Sequence, residues 1–214
     1  MKIIVLSDTH GLHERVSIPE GDLLIHAGDL TAHGSLRELS EFDRFLARLP
    51  HRHKIVIAGN HDWCFQRQPQ QARSVLKAAI YLQDESTVVE GLRIYGSPWQ
   101  PWFMDWAFNL PRGEALRRIW AAIPDGTDVL VTHGPPFGIL DRTARGMHAG
   151  CQDLLDRVRD VRPALHVFGH IHEAYGQARE GTTLFVNASV CTLRYAPVQP
   201  AVTLDYRAGL EESR

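Results

Sequence analysis

The sequence has few of the features that mark membrane, secreted or nucleic-acid-binding proteins. Its apolar runs are far shorter than the roughly 18 residues that suggest a bilayer span, so no membrane helix is expected. The opening stretch MKIIVLSDTHG turns polar too soon for a signal peptide. The formal net charge is only −2, which gives no general attraction to nucleic acid or to anionic membranes.

Cysteine is scarce as well, with three residues in a chain of 214 and no pair in CxxC spacing. This pattern argues against a disulfide framework, so Cys64, Cys151 and Cys191 are expected to be buried, reduced thiols in a cytoplasmic protein. No repeat, low-complexity stretch or linker divides the sequence. Residues 1–214 are therefore predicted to form one domain that can bury a sizeable core.

Short runs rich in valine and isoleucine alternate with helical patterns. Strands are predicted at 2–7, 22–28, 53–59, 128–134, 164–170, 182–188 and 201–206, with two more across 86–98 that turn at Glu90-Gly91. Helices are predicted at 35–50, 69–80, 112–123 and 151–161, the first with a capping box at Ser35 and Glu38. This alternation predicts an α/β fold with mixed sheets, or two sheets packed face to face. The polar tail at 209–214 is expected to fray.

Polar side chains follow five of the predicted strands. They are Asp8 and His10, then Asp29, then Asn60 with His61 and Asp62, then His133, and finally His170 with His172. Ligands of open α/β sheets gather at the carboxyl ends of strands, so these side chains are expected to converge on one crevice. His170 and His172 are two residues apart, which places them on one side of an extended chain.

Such a collection of carboxylates and imidazoles would be poorly solvated and mutually repulsive without a partner. Divalent cations remove this problem, and a mixed set of nitrogen and oxygen ligands suits Mn, Fe, Co, Ni or Zn. The set is too large for one four-coordinate ion and fits two. Asp29 is the natural bridge between them, because a carboxylate has two oxygens to share.

The motifs DxH, GDx, GNHD, HGPP and GHxH occur in this order, each after a strand, and resemble those of the calcineurin-like metallophosphoesterase superfamily. The similarity covers at least Asp8 to His172. The stretches GSPWQPWFMDWAFNLPRG, HGPPFGILDR and FGHIHEAYG…VNASVCT resemble a small branch related to the mammalian metallophosphoesterase-domain brain proteins, which are class III phosphodiesterase-like. The resemblance implies an α/β fold in which two mixed β-sheets pack as a sandwich flanked by helices.

The resemblance also implies a complete site for two divalent metal ions, with manganese favoured and Fe, Zn, Co or Ni as alternatives. The ligands of the first ion would be Asp8, His10, Asp29 and His172. The ligands of the second ion would be Asp29, Asn60, His133 and His170. His61 would remain free near the substrate phosphate, with Asp62 placed to orient or electrostatically support it.

The implied reaction is hydrolysis of a phosphodiester by attack of a metal-bridging hydroxide. His61 would either protonate the leaving group or stabilise an equatorial oxygen. The expected partner is a small phosphoester, with nucleotides among the candidates, and the oligomeric state stays open. One alternative is a phosphomonoesterase or nuclease with the same site. Another is a non-catalytic scaffold on this fold, against which the complete ligand set and His61 argue.

The remaining histidines and the tryptophans have simpler interpretations. Histidines inside strands are expected to be core or sheet-face residues, namely His26, His53 and His166. Four others are expected in loops, namely His13, His33, His51 and His148. His33 and His148 follow site motifs, so a position at the pocket stays open as the alternative for these two. Packing of a long loop is favoured over a cleft-lining role for Trp63, Trp99, Trp102 and Trp106.

Overall fold

Two mixed β-sheets stack face to face, and helices cover both outer faces, in the computed structural model, which describes residues 1–206. The predicted sandwich is confirmed. The tail at 209–214, predicted to fray, lies outside the described residues.

The first sheet has five strands with a parallel centre. In spatial order it contains β13 (Val202–Asp205), β1 (Lys2–Leu6), β2 (Leu23–His26), β3 (His53–Val56) and β4 (Ile80–Tyr81). Strands β1 to β4 pair in parallel, while β13 runs antiparallel to β1 along the edge. This antiparallel edge makes the sheet mixed, as the C-terminal strand in the sequence suggested.

The second sheet has six strands and the same design. In spatial order it contains β11 (Gly176–Glu180), β12 (Thr183–Asn187), β10 (Leu165–Phe168), β9 (Val129–Thr132), β6 (Leu92–Ser97) and β5 (Glu85–Val89). Its four central strands are parallel, and the two outer strands pair antiparallel with their neighbours. A separate parallel ribbon joins β7 (Gln100–Pro101) to β8 (Asn109–Leu110).

Helices close both outer faces of the sandwich. The first sheet is covered by α1 (Leu36–Arg48), α2 (Trp63–Arg67) and α3 (Pro69–Val75). The second sheet is covered by α4 (Glu114–Ala121) and α5 (Gln152–Val161). Within residues 1–206, no helix is long and apolar enough to cross a membrane.

Strand alternation builds the core. Ile3 and Val5 of β1 face the second sheet, whereas Ile4 and Leu6 face the helices on the outer side. Because both faces of the central strands are covered, these strands are apolar on both sides and appear in the sequence as continuous Val, Ile and Leu runs. These strands therefore lack the usual alternation of apolar and polar residues. They are recognised in the sequence as short, continuous apolar runs.

Most predicted elements are present, with differences at places where tertiary contacts decide. The capping box at Ser35 is confirmed, since its hydroxyl accepts the Glu38 amide. The helix predicted over 69–80 is too long: α3 ends at Val75, because the next two free amides, of Lys77 and Ala78, both donate to the Asp43 carboxylate on α1 at 2.7 Å. The exposed edge strand β11 and the short helix α2 were not predicted.

Candidate metal centre

The carboxyl ends of β1, β2, β3, β9 and β10 meet at one edge of the sandwich, and the predicted metal-binding side chains come together there. Within residues 1–206, three groups of potential ligand atoms form, each with its atoms within 4.8 Å of one another, and none of them includes His170. The groups are Asp8 with His10 and His172, Asp8 with Asp29 and His133, and His10 with Asp29 and His61. The chain thus gathers residues from positions 8 to 172 into one continuous cluster.

Two of the residues predicted to hold the first metal, His10 and His172, place their imidazole rings close together. The Nε2 atoms of His10 and His172 lie 3.2 Å apart. The Asp8 Oδ1 atom is 3.5 Å from Nε2 of His172, and the Asp29 Oδ2 atom is 3.7 Å from Nε2 of His10. The other nitrogen of His172, Nδ1, donates to the Thr192 carbonyl at 3.0 Å. That bond fixes the ring with Nε2 directed into the cluster.

The residues predicted to hold the second metal lie on the other side of Asp29. His133 is completely buried, and its Nδ1 donates to the Ala27 carbonyl at 2.9 Å. Its Nε2 atom faces Asn60 Oδ1 at 2.9 Å and Asp29 Oδ2 at 3.5 Å. The His170 ring packs against the His133 ring with centroids 5.0 Å apart. His170 and His172 therefore adjoin different members of the cluster.

The backbone at these strand ends adopts a conformation that side chains normally avoid. Asp8, His10, Asp29 and His170 all have φ between 44° and 68°, in the left-handed region. Such residues outside glycine are uncommon and carry a conformational cost of about 1–3 kcal/mol each. Strand ends that turn in this way redirect the side chains toward the crevice, and the surrounding core holds them there.

Two glycines make room for the carboxylates. A Cβ atom at Gly169 would overlap the Asp8 carboxylate and the Ser7 hydroxyl, and one at Gly59 would overlap the Asp29 carboxylate. The close approach also lets the backbone serve the acids: the amide of His170 donates to Asp8 at 3.0 Å, and that of His61 donates to Asp29 at 2.8 Å. The glycines of the GH and GN motifs are thus required by packing against the carboxylates.

The hydrogen bonding of the cluster fits a cation. Nδ1 of His133 carries the hydrogen that it donates to the Ala27 carbonyl. In the neutral ring, Nε2 therefore carries no hydrogen and is an acceptor. That acceptor faces the Asn60 amide oxygen and the Asp29 carboxylate, which are also acceptors. Only a positive species, a proton or a metal ion, reconciles three acceptors at such distances. The donor set of imidazole nitrogen and carboxylate or amide oxygen suits a borderline divalent ion.

The electrostatics keep the acids ionised. Burial alone would raise the pKa of Asp8, but its hydrogen bond with His172 and the nearby histidines hold that pKa well below its usual range. Burial alone would raise the pKa of Asp29 as well, but the charge and hydrogen bond of His133, together with His10 and His61, lower it. Burial lowers the pKa of His10 to about 4 despite both carboxylates. At neutral pH Asp8, Asp29 and His10 are therefore in the protonation states that coordinate metals. Burial alone would lower the pKa of His133, but the Asp29 charge raises it to about 9, so this ring would release its proton on binding an ion.

His61 and Asp62 have distinct surroundings. The His61 ring donates from Nδ1 to the Ala32 carbonyl at 2.8 Å. The Asp62 carboxylate accepts bonds from the amides of Gly59, Leu30 and Thr31 and from the Thr31 hydroxyl, at 2.7–3.1 Å. Burial, followed by the Asp29 charge, raises the pKa of Asp62 to about 6. Asp62 was predicted to orient or support His61. Its carboxylate bonds to backbone amides of the neighbouring loops, whereas the His61 ring is oriented by the Ala32 carbonyl.

Other polar residues behave as core or loop residues. His26 and His166 are completely buried, belong to none of the three ligand groups, and pair with threonine hydroxyls at 3.0 and 2.9 Å, while His53 pairs with Glu90. His13 was expected in a loop and instead lies buried in a 3₁₀ turn, His13–Arg15. The thiols Cys64, Cys151 and Cys191 are free and buried, as expected.

The sequence did not single out several residues that border the cluster. Ser189 donates to the Asp8 carboxylate at 2.6 Å. Tyr195, whose φ is 55°, packs its ring against His10 with centroids 4.7 Å apart. Together with Trp106 and His33, it lines a cavity of about 330 Å³ beside His10 and His61. No motif marks Ser189 or Tyr195, because their contacts join segments that are distant in sequence. For Trp106 the sequence favoured loop packing over a cleft-lining role, and the indole does line this cavity.

The stacked sheets and the histidine–carboxylate cluster at their strand ends define the class of protein, a metallophosphoesterase-type sandwich. The model of the calcineurin-like phosphoesterase family matches residues 1–174. The chain therefore belongs to the calcineurin-like phosphoesterase family, whose members are phosphoester hydrolases that use divalent metals. The resemblance inferred from the motifs is confirmed.

Relatives with curated descriptions support this assignment. Human metallophosphoesterase domain-containing protein 1 is 47% identical to the chain over 95% of the chain and 70% of the human protein, and the mouse protein of the same name matches equally. Among solved structures, the phosphopantetheinyl hydrolase of Mycobacterium tuberculosis shares the fold, with a TM-score of 0.62 and 16% identity over 94% of this chain and 95% of that one.

Proposed function

We propose that this protein is a dinuclear, metal-dependent phosphodiesterase that acts on a small phosphodiester. In this proposal the first ion is held by Asp8, His10, Asp29 and His172. The second is held by Asp29, Asn60, His133 and His170. Manganese is the favoured ion, and His61 is the group left free to act on the substrate.

One observation carries the proposal: acceptor atoms converge on two adjacent points that share the carboxylates. Nε2 of His133 faces Asn60 Oδ1 at 2.9 Å, and Nε2 of His172 faces its counterpart on His10 at 3.2 Å. Because Nδ1 of His133 donates to the Ala27 carbonyl, its Nε2 atom and Asn60 Oδ1 bring lone pairs together unless a proton or a metal ion lies between them. The His10–His172 pair brings two potential ligand nitrogens to a second point, beside Asp8. Two such points around Asp29 and Asp8 favour two ions over one.

When bound, two divalent ions supply Lewis acidity that polarises the phosphoester and acidifies a water molecule. The chain's own residues do the remaining work. Because the Ala32 carbonyl occupies Nδ1 of His61, Nε2 is the ring nitrogen available to the substrate. From Nε2, the protonated form of His61 can donate a proton to the leaving oxygen or a hydrogen bond to an equatorial oxygen, and either role stabilises developing charge.

The lining of the neighbouring cavity supports a diester substrate. The cavity of about 330 Å³ is lined by His10, Leu12, Ala32, His33, His61, Trp106 and Tyr195. Within residues 1–206, this lining contains neither arginine nor lysine. A phosphomonoester is a dianion that gains from extra cationic contacts, whereas a diester carries one charge and a second organic substituent. An aromatic, weakly charged wall is better suited to that substituent.

The test is a panel of metals and substrates on one preparation. The protein is stripped with a chelator, reloaded with Mn, Zn, Ni or Mg, and assayed on an aryl phosphodiester, an aryl phosphomonoester and single-stranded DNA. We expect no hydrolysis without metal, recovery with Mn, and the highest kcat/KM on the aryl diester. Preference for the monoester would replace the diester assignment, and preference for DNA would replace the small substrate with a nucleic acid. Full activity of metal-free protein would overturn the metal mechanism.

A matched pair of histidine variants provides the control. His133 and His166 are both completely buried and lie on the neighbouring strands β9 and β10 or directly after them, but only His133 faces the cluster. His133→Asn should lose metal and activity, whereas folded His166→Asn should keep both. Equal loss of activity per folded molecule in the two variants would contradict the assignment of His133.

A further inference from the structure

The indole of Trp106 lies over the imidazole of His61. The two ring centroids are 4.2 Å apart and the planes are tilted by 31°, close to a stacked arrangement. The edge of the His10 ring packs against His61 as well, with centroids 4.5 Å apart and planes at 78°. The bond from Nδ1 to the Ala32 carbonyl and the Tyr195 ring, with its centroid 6.1 Å away, complete the surroundings of the His61 ring.

The loop that carries Trp106 is tied to the segment that carries His61. The amide of Ala107 donates to the carbonyl of Asn60 at 3.1 Å, so the residue after Trp106 is bonded to the residue before His61. The amide of Phe108 donates to the Gln66 side chain at 2.9 Å. Ala107 and Phe108 are also buried in the core. These contacts fix the backbone next to Trp106 and thereby hold the indole over His61.

The rest of the loop behaves differently. Trp102, Phe103 and Met104 at its tip are 57–64% exposed. Trp106 is half-buried, and its only polar contact among residues 1–206 is a weak bond from Nε1 to the Met104 sulfur at 3.4 Å. Simple loop packing, the interpretation favoured from the sequence, does not account for an indole directed onto a histidine at the cluster.

We infer that Trp106 is a positioning residue that holds the His61 ring in its working orientation, an inference that rests on the function proposed above for His61. A single hydrogen bond at Nδ1 leaves the imidazole free to tilt about that bond. The flat indole face removes this freedom without taking up a ring nitrogen, so Nε2 stays available. Misplacement of a reacting group by about 1 Å can cost roughly 100-fold in rate.

The test uses three variants of the Mn-loaded protein on an aryl phosphodiester. Trp106→Leu keeps apolar bulk but has no flat face, Trp106→Phe keeps an aromatic face, and Trp102→Leu is the matched control on the same loop. We expect Trp106→Leu to lower kcat by roughly 10- to 100-fold, a larger change than any rise in KM caused by the altered cavity wall, with both metals retained. Trp106→Phe should restore most of kcat, and Trp102→Leu should match the unmodified protein.

Other outcomes would overturn the inference. A rise in KM with kcat preserved would mean that Trp106 binds the substrate and does not orient His61. Unchanged kcat and KM in Trp106→Leu, or an equal loss in Trp102→Leu, would mean that the indole only packs the loop. A loss of kcat in Trp106→Phe as large as in Trp106→Leu would show that an aromatic face is not what matters.

A second measurement is independent of turnover and of bound metal. Ring currents from the stacked indole should shift the carbon-bound ring protons of His61 upfield in NMR spectra of the metal-free protein. The shift should disappear in Trp106→Leu and persist in Trp102→Leu. If the unmodified protein hydrolyses no phosphoester, the proposed function fails, but an upfield shift still shows that Trp106 stacks on His61. Absence of the shift in an active protein would remove the positioning role alone.

Discussion

Raising the pH should destabilise the metal-free protein through one buried ion pair. His133 is completely buried, with Nε2 3.5 Å from Oδ2 of Asp29. Burial alone would lower the pKa of His133, but the charge and hydrogen bond of Asp29 outweigh it and raise the pKa to about 9. In the unfolded chain, the pKa of histidine is about 6.5. The folded protein therefore holds this proton more tightly than the unfolded chain does.

The size of the effect follows from the two pKa values. Each pH unit between about 6.5 and about 9 is worth about 1.4 kcal/mol, so the pair contributes roughly 3 kcal/mol to the free energy of unfolding. This stability is fully present below pH 6.5 and is lost as the pH rises through 9. His172, whose pKa is also raised, because its bonds to Asp8 outweigh burial, acts in the same direction.

Urea denaturation of chelator-treated protein at pH 6 and pH 9.5 measures this loss directly. We expect roughly 3 kcal/mol between the two conditions, and much less in His133→Asn, which controls for lysine, tyrosine and cysteine ionisation elsewhere. Saturating Mn should remove the loss, since a bound cation takes the place of the proton. A flat profile in the unmodified protein, or an unchanged slope in His133→Asn, would refute the role assigned to this pair.

Three further predictions concern the cluster itself. His61→Ala should keep both metals but lower kcat by roughly 10²–10⁴-fold, measured by elemental analysis and initial rates; loss of a metal would show that His61 is a ligand. His170→Gly and His172→Gly should each lose a different ion, located by anomalous scattering at moderate Mn concentration, and loss of the same ion in both would refute the one-histidine-per-metal assignment. Gly169→Ala should displace the Asp8 carboxylate and weaken metal affinity in titration calorimetry, and wild-type affinity would contradict the packing described for Gly169.

The elements that the sequence predicted well are those decided by local chemistry or by burial on both faces. The central strands appear as Val, Ile and Leu runs because both of their faces are covered, and α1 begins at a capping box. The end of α3 could not be predicted, since it depends on the distant side chain of Asp43. The edge strand β11 was missed because its residues are mostly exposed and show no alternation of apolar positions.

Some features of the candidate site could likewise be predicted from the sequence, and others depend on tertiary contacts. Residue types at strand ends predicted which side chains converge, because parallel strands deliver their carboxyl ends to one edge. The left-handed backbone at Asp8 and Asp29 was not predictable, since only tertiary packing stabilises it. The stacking of Trp106 on His61 and the bond from Ser189 to Asp8 likewise join segments far apart in sequence.

Metal content and turnover measured on the same sample decide whether this is a phosphodiesterase site for two ions. The protein is titrated with Mn after chelation, and bound Mn per chain is compared at each step with the rate on an aryl phosphodiester. We expect saturation at about two ions per chain, with activity appearing only as the second ion binds. Saturation at one ion with full activity, or turnover by metal-free protein, would contradict the assignment of two ions.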